Sequence, residues 1–216
     1  MNADVGLIIR RAENALKQNS TVPRSKLEMV FFLIDLDHFK SINDTYGHAS
    51  GDMVLVQLKQ RLAHTFRKSD YLIRWGGEEF LVVARDIQPD SVGATANRLC
   101  DTVANQPFEI IANRYINVTC SIGFSELPFF ADQPGLLSWA QAVEIADKAM
   151  YLAKHRGRNT WVGLHGHART NRQQLIQRIQ QDVMQVIQCG DLTMQTRSSD
   201  HWPAPNSGPR SESNLG

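Results

Sequence analysis

Arg74-Trp75-Gly76-Gly77-Glu78-Glu79-Phe80 lies between two apolar runs, each of which reads as a β-strand. Adjacent glycines accept positive φ without a Cβ clash, so Gly76-Gly77 is expected to close a two-residue hairpin between strands near Tyr71–Trp75 and Glu78–Val83. Such a hairpin carries two carboxylates at its tip. Successive strand residues point to opposite faces, so Glu78 and Glu79 are expected to do different jobs, with only one facing any given cation.

Upstream, Met29–Ile34 is an unbroken apolar run rich in aromatic and β-branched residues, which suits a strand buried on both faces. It ends in Asp35-Leu36-Asp37. A carboxylate leaving the core is costly without a cation, a donor or water. Asp37 can cap a helix beginning near Phe39, whereas Asp35 has no local partner. If the hairpin lies beside this strand, Asp35 and Glu78 converge. They would then offer hard oxygen ligands of the kind Mg²⁺ takes while it keeps waters and substrate phosphates. Two carboxylates and a nucleotide make a phosphoryl-transfer site.

Further along, Phe39–Tyr46 reads as a short helix stopped by Gly47, and a longer helix starts near Ser50 with Leu55, Leu58, Leu62 and Phe66 at helical spacing. Ser91–Asn105 and Ser138–His155 are helical. Phe108–Ile111 and Tyr115–Gly123 form a hairpin around Ala112-Asn113, and Thr160–Val162 is a short strand. Helices interspersed with hairpins indicate an α+β fold whose mostly antiparallel sheet carries helices on it. Asp4–Leu16 leads into an amphipathic helix with few apolar positions, followed by a polar loop over 17–26. Arg169–Ile187 is a second amphipathic helix, expected to pack on the domain because it is too short for a coiled coil. Asp191–Gly216 is rich in Ser, Pro, Asn and Arg and is expected to be disordered. The organisation is thus a domain over 1–164, a helix within 165–189 and a tail over 190–216.

A net charge of +1 on 216 residues speaks against nucleic-acid binding as the main activity. The three cysteines, Cys100, Cys120 and Cys189, form no Cys-x-x-Cys pair, which suits a reduced cytoplasmic chain. No apolar stretch approaches the roughly 20 residues of a membrane span, so no membrane partner is expected.

Residues 31–52, Phe-Phe-Leu-Ile-Asp-Leu-Asp-His-Phe-Lys-Ser-Ile-Asn-Asp-Thr-Tyr-Gly-His-Ala-Ser-Gly-Asp, followed by Arg74–Phe80 and by Ala-Asp-Lys-Ala-Met-Tyr-Leu-Ala-Lys-His-Arg-Gly-Arg-Asn at 146–159, resemble the GGDEF domain of bacterial diguanylate cyclases, here in a Gly-Gly-Glu-Glu-Phe form. The resemblance extends over roughly residues 4–163. It implies a palm-like core that joins two GTP molecules into cyclic di-3′,5′-guanylate with release of two pyrophosphates, in a homodimer with facing half-sites. It further implies Mg²⁺, with Mn²⁺ as a substitute, on Asp35, the Leu36 carbonyl and Glu78, and either Glu78 or Glu79 as the proton acceptor. Asn43 and Asp52 would read the guanine edge, with Phe39, Lys40, His48, Lys154 and Arg158 around the rest of the substrate. Arg67-Lys-Ser-Asp70, together with Arg98, matches the family's inhibitory site for the product.

The residue types agree with those roles, since a carboxylate accepts from guanine N1 and N2 and a guanidinium suits phosphate oxygens. Taken alone, however, Asn43 and Asp52 fit turn and helix-start positions, and Lys154 balances a helix dipole. Arg67 and Asp70 likewise fit a surface ion pair of at most about 1 kcal/mol. The opening Asp4-Val-Gly-Leu-Ile-Ile-Arg-Arg11 is a damaged copy of the family's Asp-x-Leu-Thr-Gly-Leu-x-Asn-Arg-Arg, lacking Leu-Thr and carrying Ile9 in place of asparagine. That damage supports a rival reading, a GTP- or cyclic-dinucleotide-binding module without turnover. The intact Asp35, Asn43, Asp52 and Glu78 favour the enzyme. No sensor segment is expected within these residues.

Overall fold

A computed structural model describes residues 27–197, so the opening segment, the loop after it and the tail from 198 lie outside the described residues. The apolar run becomes β1 (Leu27–Leu36), which extends two residues beyond it at each end, so that Asp35 is still within the strand. The main sheet has six strands in the order β2 (Tyr71–Arg74), β3 (Glu79–Ile87), β1, β6 (Cys120–Leu127), β7 (Trp161–His165) and β8 (Thr193–Thr196). Only β6 and β7 run parallel; every other neighbouring pair is antiparallel. This is the expected α+β architecture.

Because β1 is central, both of its faces are apolar. Val30, Phe32 and Ile34 enter one core with Val54, Leu58 and Leu62 of α2 (His48–Thr65) and Ala96, Leu99 and Val103 of α3 (Val92–Ala104). Met29, Phe31 and Leu33 enter another, under Ala142, Val143, Ala146 and Met150 of α4 (Trp139–His155). The α4 start is set by Ser138 and Gln141, which bond each other's backbone N–H reciprocally. The short α1 (Phe39–Tyr46) joins β1 to α2.

Several boundaries differ from the sequence reading for local reasons. Tyr115–Gly123 is not one strand. Its first part forms β5 (Arg114–Ile116), paired only with β4 (Phe108–Ile110), and the chain then crosses to the main sheet as β6. The helix expected from Ser50 starts at His48, directly after Gly47, whose φ of 81° suits glycine. The helix within 169–187 is α5 (Leu175–Gln188), and it buries Leu175, Ile179, Val183 and Val186 against Ile145, Leu152 and Leu164. Beyond it, part of the expected disordered tail forms β8. The β7 edge offers unpaired backbone groups that a short alternating segment can satisfy, and Met194 adds packing.

A close approach fixes the position of α4. A Cβ at Gly123 would lie 2.0 Å from the Ala146 carbonyl oxygen and 2.1 Å from the Met150 nitrogen. Gly123→Ala is therefore expected to cost about 3 kcal/mol or more, because backbone rather than a side chain must move. Urea denaturation checks this, and an unchanged midpoint would contradict the close contact.

Candidate active site

The register of β1 with β3 sets Phe31 opposite Val83, Leu33 opposite Leu81 and Asp35 opposite Glu79. Directly opposed residues in an antiparallel pair share a face, so Asp35 and Glu79 continue the stripe of Phe31 and Leu33 beneath α4. It is Glu79, one residue on from the glutamate expected beside Asp35, that lies across from it. Glu78 is in the connecting loop, near enough for its charge to act on Asp35.

The loop is wider than a two-residue turn. Strand pairing stops at Arg74 opposite Phe80, and the N–H groups of Trp75 and Gly76 both donate to the Glu79 carbonyl, at 2.8 and 3.3 Å. Neither Gly76 nor Gly77 has positive φ, and a Cβ on Gly77 would meet nothing within 4 Å, so a need for space arises at Gly76 alone. A Cβ on Gly76 would lie 2.7 Å from Glu79 Oε2. Gly77 presents its carbonyl to the Arg74 guanidinium, which donates from Nη2 at 2.7 Å and Nε at 3.1 Å. Arg74 thus fixes the turn, a role that its position next to the glycines suggests only in hindsight.

Asp35 is only 6% exposed, and its Oδ2 meets Lys154 Nζ of α4 at 2.9 Å. Burial raises its pKa, Lys154 opposes that shift, and the charges of Glu78 and Asp37 add to it. Glu79 is also raised, first by burial and then by Asp35. One ammonium therefore sits among several carboxylates, and the pocket retains a demand for positive charge. The donors are hard oxygens suited to a divalent cation. Among the described residues no three or more His, Cys, Asp or Glu side chains are grouped to hold a metal. Asp35, Glu78 and the Leu36 carbonyl could hold such an ion only with water or substrate oxygens completing its shell. The Leu36 side chain is in the core, leaving its main chain as the donor.

Asp37 does not cap α1; the N-cap is His38, in a left-handed conformation. The Asp37 carboxylate instead accepts from Thr119 Oγ1 and Ser121 Oγ, both at 2.6 Å, and from the Asn159 N–H at 3.0 Å. It thereby ties the end of β1 to β6 and to the turn carrying Arg158, which is exposed with φ of 66°.

At the α1–α2 junction a Cβ on Gly51 would lie 2.0 Å from Asn43 Oδ1 and 3.1 Å from Phe39 Cζ. The missing side chain lets Phe39 and Asn43 close on the helix start that bears Asp52. Asp52 lines an open cleft of about 420 Å³ with Leu55, Lys59, Arg74 and Phe80, so helix and hairpin face one space. Lys59 was not singled out in the sequence, and Leu55 was read there only as an apolar position of the helix. Lys40 and His48 are exposed on α1 and α2.

A second cavity, about 410 Å³, is lined by Arg67, Asp70, Arg85 and Arg98, among others. The surface ion pair expected of Arg67 and Asp70 is not among the described ones. Asp70 instead accepts from the backbone N–H of Arg67 at 2.9 Å and of Arg85 at 3.1 Å. Arg85 Nε is buried without a hydrogen-bond partner.

The family model described as "Diguanylate cyclase, GGDEF domain" matches residues 8–160. This chain belongs to the GGDEF family. Diguanylate cyclase A of Treponema denticola is 40% identical over 134 residues, covering 62% of this chain and 34% of that protein. The chain spans between 28% and 38% of the length of the first curated relatives it matches. Among solved structures, the GGDEF domain of TpbB (YfiN) from Pseudomonas aeruginosa is similar with TM-score 0.59 and 30% identity, over 71% of this chain and 83% of that one. The GGDEF domain of DgcB from Caulobacter crescentus, solved in complex with c-di-GMP, gives TM-score 0.59 and 28% identity, over 69% and 81%. The α5 helix and β8 lie beyond the part matched to the GGDEF family. No helix among the described residues is long and apolar enough to cross a membrane.

The two raised carboxylates predict a pH dependence. A folded pKa above the unfolded value gives a stability contribution that is full below the unfolded pKa and is lost as pH rises through the folded one. Glu79→Gln should therefore stabilise the metal-free protein relative to wild type more at pH 7 than at pH 4. The gain should be less than about 1 kcal/mol, because solvent screens this half-buried group. Paired urea titrations at the two pH values check it, and a gain that shrinks with rising pH would contradict the assignment.

Proposed function

We propose that the chain is a diguanylate cyclase module that condenses two GTP molecules into cyclic di-3′,5′-guanylate. The observation that supports this best is the Asp35–Glu79 pairing, a cation-seeking carboxylate group at the end of the sheet whose hairpin also lines, through Arg74 and Phe80, the nucleotide-sized cleft of Asp52. In the reading, Asp52 and Asn43 accept and donate at the guanine edge, with Phe39 supporting them from α1. Lys40, Lys154 and Arg158 bind phosphate oxygens, and His48 lines the approach to them. Asp35, Glu78 and the Leu36 carbonyl hold Mg²⁺ or Mn²⁺. When bound, that ion polarises the α-phosphate and makes the attacking hydroxyl more acidic.

The 3′-oxygen of one GTP forms a bond to the α-phosphorus of the other, and the bond to pyrophosphate breaks. Its proton passes to a glutamate. The register supports Glu79, across from Asp35, for that role and leaves Glu78 to the metal. A second, equivalent step closes the ring. Each chain supplies one set of these groups, so two chains must face each other, with their alignment supplied by a homodimer. Arg67, Arg98 and Arg85, whose Nε lacks a partner, would bind the phosphates and guanine acceptors of the product in the second cavity, giving feedback inhibition. The GGDEF core is read as 1–164, with the α5 helix and tail as additions to it.

Purified chain incubated with GTP and Mg²⁺ should yield the cyclic dinucleotide, identified by mass spectrometry. The rate per milligram should rise with protein concentration as dimers form. Asp52→Ala should lose at least about tenfold in preference for GTP over ATP, since it removes a partner of donors found only on guanine. Arg67→Ala should keep the initial rate and relieve inhibition by product. GTP binding without any product would support the rival reading, a binding module.

A further inference from the structure

We propose that a cavity between α4 and α5, beside the acidic hairpin, is a binding site for a small planar aromatic cation. The cavity encloses about 470 Å³ and is walled by Trp75, Trp139, Ile176 and Ile179. That size falls within the roughly 300–1,000 Å³ of small-molecule sites. Two of the four walls belong to α5, which lies beyond the residues matched to the GGDEF family. The cavity therefore arises from what this chain adds to the core.

Two half-buried indoles and two isoleucines line this one space and suit a flat apolar ring. Its charged rim is Glu144, Asp147 and Lys148, two carboxylates against one ammonium. Gln180 donates to Glu144 at 2.9 Å and holds that carboxylate at the mouth. Asp147 is close enough to Glu79 to raise its pKa, so the rim shares the negative field of the hairpin. A cation gains from that field and from the indole faces. A nucleotide or other phosphate is repelled by it, which separates this site from both clefts described above.

The position is also distinctive. Trp75 lines the cavity and donates its backbone N–H to the Glu79 carbonyl at 2.8 Å. An occupant would thus lie against the residue that shapes the acidic turn. The inference stands apart from the cyclase reading because it concerns binding without nucleotide.

The test uses tryptamine as the cation and indole-3-propionate as an anion with the same ring system, each titrated into ¹⁵N-labelled full chain and followed at the indole N–H signals. Tryptamine should shift Trp75 and Trp139 saturably, with affinity roughly millimolar for so small a ligand, and leave the buried Trp161 unmoved. Indole-3-propionate should bind at least about tenfold more weakly. Glu144→Gln with Asp147→Asn, both on exposed positions, should weaken tryptamine by about tenfold. Ile176→Phe fills the slot from α5 and should abolish the shifts. The proposal is overturned if neither indole responds to tryptamine, if anion and cation shift them alike, or if either variant binds as wild type does.

Discussion

Two carboxylates held on one face of a strand pair, Asp35 and Glu79, constrain everything around them. Neither has freedom to move away, because the residues that precede Asp35 and follow Glu79 along the same face, Phe31, Leu33, Leu81 and Val83, are buried under α4. A slip of one residue would turn that stripe onto the opposite face. The hydrophobic register thus enforces an electrostatically unfavourable arrangement, and burial raises both pKa values further. Lys154 answers part of the charge. Gly76 gives the Glu79 carboxylate room, and Arg74 holds the turn through Gly77. Like charge stored at one end of a rigid sheet favours a cation over an empty site.

Asp37, two residues along, shows how the same side chain takes the opposite role when its partners differ. It is as buried as Asp35, but two hydroxyls and a backbone N–H surround its oxygens. It anchors the end of β1 to β6 and to the turn after α4. Asp35 can then carry an unmet demand for charge without the strand end fraying.

Much of this was legible in the chain itself. The apolar run ending in Asp35, the paired glycines, the helix over 138–155 and the α5 stripe each encode their element through local chemistry. What was not legible depends on register and on distant partners. Which glutamate faces Asp35 is decided by how β3 aligns with β1, and the glycines alone suggested too tight a turn. Asp37 finds Thr119, Ser121 and Asn159, all about 80 residues or more away. Asp70 serves the backbone N–H groups of Arg67 and Arg85 instead of the Arg67 guanidinium. β8 was hidden in a polar stretch because the free edge of β7 that it completes exists only once the sheet is assembled.

The central claim is that the Asp35 end of β1 needs a divalent cation once nucleotide phosphates arrive. Titrating Mn²⁺ into the full chain with a non-hydrolysable GTP analogue, followed by electron paramagnetic resonance, tests this directly. Wild type should bind the ion more tightly with the analogue than without it. Asp35→Asn should lower that affinity by at least about tenfold, because one charged ligand is lost. Equal Mn²⁺ affinity in wild type and Asp35→Asn would contradict the account.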